Sequence, residues 1–133
     1  MMTHGPPLNI MDVTYKGENV GCQHLLRAAR RCKPRLHCFG HIHEGWGAQK
    51  VKWREDEELD VKNEEHVEKT EVVQANMEDV AAMRPVEVDI SKDGGTPIEH
   101  GKETLMVNAS IMTIRYKPWN SPWLVDMDLD KAE

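Results

Sequence analysis

Pro34-Arg35-Leu36-His37-Cys38-Phe39-Gly40-His41-Ile42-His43-Glu44-Gly45-Trp46-Gly47 sets the frame for the chain on either side of it. The run from Arg35 to Phe39 is too brief for a helix and lies between a proline and a glycine, so it predicts a short buried or half-buried strand. Gly40 to Gly47 is punctuated by three glycines and predicts a loop at that strand's C-terminal end. Such strand ends are where open α/β sheets bind their ligands.

On the N-terminal side, Cys22, Leu25, Leu26 and Ala29 recur at helical spacing, with Gln23, His24, Arg27, Arg30 and Arg31 mostly on the opposite face. This predicts a helix beginning near Val20, with Asn19 as a candidate cap. Lys33-Pro34 stops it after a basic last turn suited to the negative end of its dipole. Helix, tight connection and strand make an α/β arrangement. Before the helix, Gly5, Pro6, Pro7, Gly17 and Asn19 predict a loop, and His4 sits at its mouth.

On the C-terminal side, Val51 to Trp53 predicts the start of a strand, after which periodicity is lost and acidic charge accumulates. Eleven acidic and three basic residues fall between Arg54 and Val80. Glu64 to Met83 could form a solvated helix through pairs such as Glu65 with Lys69, and the remainder has the composition of a disordered segment. Asp93-Gly94-Gly95-Thr96-Pro97 breaks the chain again. Three strand-like runs follow, Glu103 to Val107, Ile111 to Tyr116 and Trp123 to Met127, spaced as in a meander.

Composition limits the alternatives. A formal charge of -6 argues against nucleic acid or an anionic membrane as partner, although the acidity belongs to one segment and the rest of the chain is slightly basic. One phenylalanine and four tryptophans leave a thin core resting on aliphatic residues. Cys22, Cys32 and Cys38 are odd in number and lack C-x-x-C spacing, which predicts reduced core thiols. With no leader-like opening and no apolar run of spanning length, the expectation is a soluble cytoplasmic protein.

His41 and His43 form an H-x-H pair on the strand-exit loop. Residues two apart on extended backbone project to one side, and two imidazoles aimed at one place suit a transition metal. By itself the spacing is a weak signal. It gains weight from Thr3-His4-Gly5-Pro6-Pro7, which precedes Phe39-Gly40-His41-Ile42-His43-Glu44-Gly45-Trp46-Gly47 with one helix between them.

In that order the two motifs resemble the fourth and fifth motifs of calcineurin-like metallophosphoesterases, in the spelling of a small subfamily that writes them THGPP and FGHIHEG. Val107-Asn108-Ala109-Ser110 and Asn120-Ser121-Pro122-Trp123 also resemble that subfamily's C-terminal strands. The resemblance implies an α/β fold: the C-terminal part of the family's αββα sandwich. Residues 1–133 would form a partial domain, with residues 48–102 as an acidic, partly irregular insertion. It implies metal ligation by His4 and His41 at one ion and by His43 at another, with divalent Mn, Fe, Zn or Mg as cofactor. The implied reaction is hydrolysis of a phosphomonoester or phosphodiester, with a phosphate-ester or nucleotide-like small molecule as partner.

The family's first three motifs, D-x-H, G-D and G-N-H-[DE], should precede His4, yet only Met1, Met2 and Thr3 do. They carry the carboxylates that bridge two ions. Two dications about 3.5 Å apart repel by roughly 19 kcal/mol at an effective dielectric near 20, and neutral imidazoles do not offset that. At most one ion is therefore expected here. The expectation is a fragment or truncated form, inactive by itself. A non-catalytic remnant that meets a protein partner through the acidic segment or an exposed strand edge is the alternative, as is a mononuclear zinc protein using His4, His41 and His43.

Other residues carry paired readings. Glu44 either orients an imidazole or faces solvent. Trp46 either stacks on a substrate base or closes the core beneath the loop. Asn108 either approaches the site or satisfies backbone groups at a strand end. His37, out of phase with Leu36 and Cys38, reads as a packed or surface histidine, and His24, His66 and His100 as non-ligands. The cluster Arg27, Arg30, Arg31, Lys33 and Arg35 either attracts phosphate or is a solvated face.

Overall fold

A computed structural model describes residues 1–55 and 66–131. The expected helix is α1, Gln23–Cys32, and the expected strand is β1, Leu36–Phe39. Leu26 and Ala29 are the buried members of the α1 face. The helix starts without a side-chain cap at Cys22. Asn19, the expected cap, instead donates to Asp12 Oδ1 at 2.7 Å. Lys33 ends the helix in a left-handed conformation, its N–H bonded to the Ala29 carbonyl, so the connection to Pro34 is made within one turn.

After a 3-10 turn at His43–Gly45 comes β2, Gly47–Trp53, longer than the Val51–Trp53 start read from sequence. It is followed by β3, Val67–Val72, a short helix α2, Met77–Ala81, and β4, Val86–Asp89. β5 covers Glu103–Asn108 and β6 Trp123–Asp126. Residues 48–102, expected as an insertion, thus hold most of β2 together with β3, α2 and β4.

The strands form a four-stranded sheet in the order β1-β5-β2-β3 and a two-stranded sheet of β4 and β6. β5 runs parallel to β1, with Leu36 opposite Leu105 and Phe39 opposite Asn108. It runs antiparallel to β2, with Gly47 opposite Asn108. The expected meander is therefore not formed: β5 is central, β6 pairs in parallel with β4, and residues 111–120 lie between them as a small hairpin-like loop around a Met112–Pro118 bridge. A parallel pair needs a crossover, so the neighbours of β5 and β6 cannot be read from sequence adjacency.

Burial explains the central place of β5. All five residues from Thr104 to Asn108 are at most 2% exposed, and their side chains alternate between two cores. On one face Met106 joins Ile10, Leu26, Ala29, Phe39, Val51 and Trp53 beneath α1 and the N-terminal loop. On the other, Leu105 and Val107 join Ala48, Val88, Ile90 and Ile98, which brings the β4–β6 sheet over the first. Trp53 takes part fully buried because its indole N–H reaches Thr104 Oγ1 at 2.9 Å.

Two further sequence expectations differ from what forms. The solvated helix over Glu64 to Met83 is replaced by β3 and the single turn of α2, because β3 completes the edge of the sheet against β2. Glu64 and Glu65 lie outside the described residues; Lys69 pairs with Glu71. All three thiols are free, but Cys22 and Cys32 are exposed and Cys38 half-buried, so they are not core residues. Among the described residues no helix is long and apolar enough to cross a membrane.

Candidate metal centre

The N-terminal residues lie along the free edge of β1. Met2 bridges Cys38 in parallel, the Thr3 N–H donates to the Cys38 carbonyl at 3.0 Å, and the Gly40 N–H donates to the His4 carbonyl at 2.9 Å. Two adjacent strand ends therefore deliver His4 and His41 to one place at the C-terminal end of β1. His4 Nε2 and His41 Nδ1 stand 3.0 Å apart, with ring centroids at 4.6 Å. One nitrogen must donate and the other accept.

His41 reaches this position with φ +68°, a left-handed conformation that a residue with a Cβ adopts at a cost. The consequence for His43 is direct. The backbone from His41 to His43 is not continuously extended, since His43 already opens the 3-10 turn, and the spacing rule for extended chain does not apply. His43 Nδ1 lies 2.9 Å from the Thr113 carbonyl, and its ring meets Tyr116 edge-on at 5.4 Å. Since a carbonyl can only accept, Nδ1 carries the proton and Nε2 keeps its lone pair, the tautomer that ligating histidines generally use.

Asn108 lies at the hub of the loop. Fully buried, it donates to the Ile42 carbonyl at 2.9 Å and to the Met11 carbonyl at 3.3 Å, and accepts from the Ser110 N–H at 3.1 Å. It thus holds the residue between the two histidines. Gly45 makes this close approach possible: a Cβ there would sit 2.1 Å from the Met11 carbonyl oxygen and 2.7 Å from Asn108 Nδ2. Glu44 accepts from the Tyr15 N–H at 3.0 Å, tying the motif to the N-terminal loop. Trp46 donates to the Ser121 carbonyl at 2.9 Å and packs against Trp123 with centroids at 5.2 Å, so its ring joins the loop to β6.

Residues to which the sequence reading gave no part in the site support the same corner. Asp12, fully buried, accepts from Asn9 N at 2.9 Å, Gly21 N at 2.8 Å and Asn19 Nδ2, organising the loop that follows the T-H-G-P-P motif. Three donors satisfy its buried charge. Thr3 and His37 form a second such group, with Thr3 Oγ1 2.8 Å from His37 Nε2. Burial, with a smaller contribution from the amino terminus, lowers the His37 pKa to about 4. Thr3 belongs to a quoted motif and His37 to the quoted strand, but no spacing rule pairs them.

Two ligands of one tetrahedral zinc ion lie about 3.3 Å apart, given metal–nitrogen distances near 2 Å. The His4–His41 nitrogen separation of 3.0 Å is within a small adjustment of that value. The pair therefore fits a single divalent ion. It does not complete a centre: among the described residues no three His, Cys, Asp or Glu side chains come together to hold a metal.

The chain is 32% identical over 129 residues, 96% of its length, to metallophosphoesterase domain-containing protein 1 of Homo sapiens. The Mus musculus protein of the same name gives the same match. The homology supports a metallophosphoesterase family. A UPF0046 protein of Caenorhabditis elegans is 39% identical over 72 residues, 48% of this chain and 18% of that protein. The chain spans 24% of the length of the human and mouse relatives. No family model matches it, and no solved structure matches it significantly. A metallophosphoesterase family implies divalent-metal use in general, which is the chemistry an imidazole pair accommodates.

Proposed function

We propose that this chain supplies the fourth- and fifth-motif part of a calcineurin-like metallophosphoesterase of the THGPP/FGHIHEG type, whose activity is hydrolysis of phosphomonoesters or phosphodiesters. The observation that carries this reading is the approach of His4 and His41 to 3.0 Å at the end of β1, from two motifs separated by one helix. The match to proteins named for a metallophosphoesterase domain supports it.

When bound at this pair, a divalent ion supplies Lewis acidity toward the oxygens of a phosphate ester. The residues of the chain do the rest. His4 and His41 hold the ion through neutral nitrogens. Asn108 and Glu44 fix the loop between β1 and β2. His43, set in its Nε2-lone-pair tautomer by Thr113, is available to a further ligand position. By itself the chain takes at most one ion, since imidazoles leave the charge of a second uncompensated. The partner is a phosphate-ester or nucleotide-like small molecule.

Hydrolysis of bis(p-nitrophenyl) phosphate in the presence of Mn²⁺ tests the reading. The isolated chain is expected to give no turnover above buffer. Metal-dependent turnover that disappears in His41→Ala would overturn the incomplete centre.

A further inference from the structure

His37 is fully buried in β1, on the face shared with Phe39, and its ring packs edge-on against Phe39 at 5.2 Å. Its nitrogens are unequally served. Nε2 lies 2.8 Å from Thr3 Oγ1, whereas Nδ1 is buried and has no hydrogen-bond partner among the described residues. Thr3 Oγ1 also donates its single proton to the Gly5 carbonyl at 2.9 Å. A hydroxyl that donates there must accept from His37, so the order of protons is fixed: Nε2–H to Thr3 Oγ1, and Thr3 O–H to Gly5 O.

This chain of bonds encloses His4. Thr3 and Gly5 flank it in sequence, and the backbone of both is held by the relay or by β1. A buried imidazole with one orphaned nitrogen is unfavourable compared with an apolar side chain at the same place. What an apolar side chain would forfeit is the donor to Thr3. The neutral ring state needed for this relay agrees with the lowered proton affinity that burial imposes.

We propose that His37 is a positioning residue whose Nε2–H, acting through the Thr3 hydroxyl, sets the place of His4 opposite His41 and thereby the ion affinity of the pair. The affinity part rests on the metal reading above; the positioning part does not. It names a connection in which a buried strand residue, four positions before His41 in sequence, governs an imidazole on the other side of the sheet edge.

The test uses the full chain and three variants, Thr3→Val, Thr3→Ser and His37→Leu, with Co²⁺ as probe. Nitrogen-15 imidazole spectra of the parent should show His37 protonated at Nε2, and proton spectra should show the His4–His41 ring contact. Thr3→Val and His37→Leu should lose that contact and bind Co²⁺ about 10- to 100-fold more weakly, the usual effect of removing a partner that orients a ligand. Thr3→Ser, which keeps the hydroxyl, should retain both. Should His37→Leu fail to fold, Thr3→Val decides alone, since it preserves size at a half-buried position. An unchanged ring contact in Thr3→Val, or equal losses in Thr3→Ser and Thr3→Val, overturns the proposal. If the parent binds no Co²⁺, the metal reading fails and the ring contact in the metal-free chain still decides the positioning claim.

Discussion

His41 holds its imidazole against His4 from a left-handed backbone conformation, φ +68°, that glycine would adopt freely. Strain of this kind persists where surrounding structure over-determines it; here the Asn108 bond to Ile42 and the Gly40 bond to His4 do so. His41→Gly is therefore expected to raise unfolding stability by about 1 kcal/mol in urea titration while abolishing ion binding. Gly45→Ala should do the reverse to the fold. Its Cβ would meet the Met11 carbonyl at 2.1 Å, and a loss of about 2–3 kcal/mol is expected by the same measurement. The approach of His4 to His41 was legible in the order of the two motifs. The placement of His43 was not, because H-x-H spacing implies a common side only on extended backbone, and nothing in the residue types announces the positive φ at His41. His37 was read as packed or at the surface; its partner Thr3 lies 34 residues away and no local pattern joins them.

The element with the clearest consequence for the site is the loop of residues 111–120, whose part from Ile111 to Tyr116 reads in sequence as a strand-like run. Thr113 gathers it: its N–H donates to the Lys117 carbonyl at 2.8 Å, and its hydroxyl accepts from Arg115 N at 3.2 Å and Lys117 N at 3.3 Å. The same residue's carbonyl holds His43. Thr113→Ala should lower stability by about 1 kcal/mol and increase the exchange rate of the Arg115 and Lys117 amides in hydrogen-exchange measurements. Both α1 and β1 were legible because their signals are local: helical spacing, and a short run between Pro34 and Gly40. β3 was not, because Glu68, Lys69 and Glu71 read as solvated helix. Pairing with β2 from Gln49 to Trp53 decides the outcome there, as tertiary context generally overrides weak propensity.

At the scale of the whole molecule, β5 separates two cores, and the histidine corner is built where β1, β5 and the N-terminal edge residues end together. His37 links this corner to global stability. Its pKa falls from 6.5 to about 4 on folding, so the unfolded chain takes up a proton that the folded chain refuses between those values. Its contribution is complete above about pH 6.5, is lost as pH falls through that window, and changes no further below about 4. The loss should be about 3 kcal/mol, and urea titrations of the parent and His37→Gln across the window should show it in the parent alone.

Titration of the metal-free chain with Zn²⁺, followed by calorimetry on the parent, His4→Ala and His41→Ala, tests the central claim most directly. The account predicts about one bound ion per chain in the parent, and binding lost in both variants. Two ions bound with comparable affinity, or one ion bound equally well without His4 and His41, would contradict it.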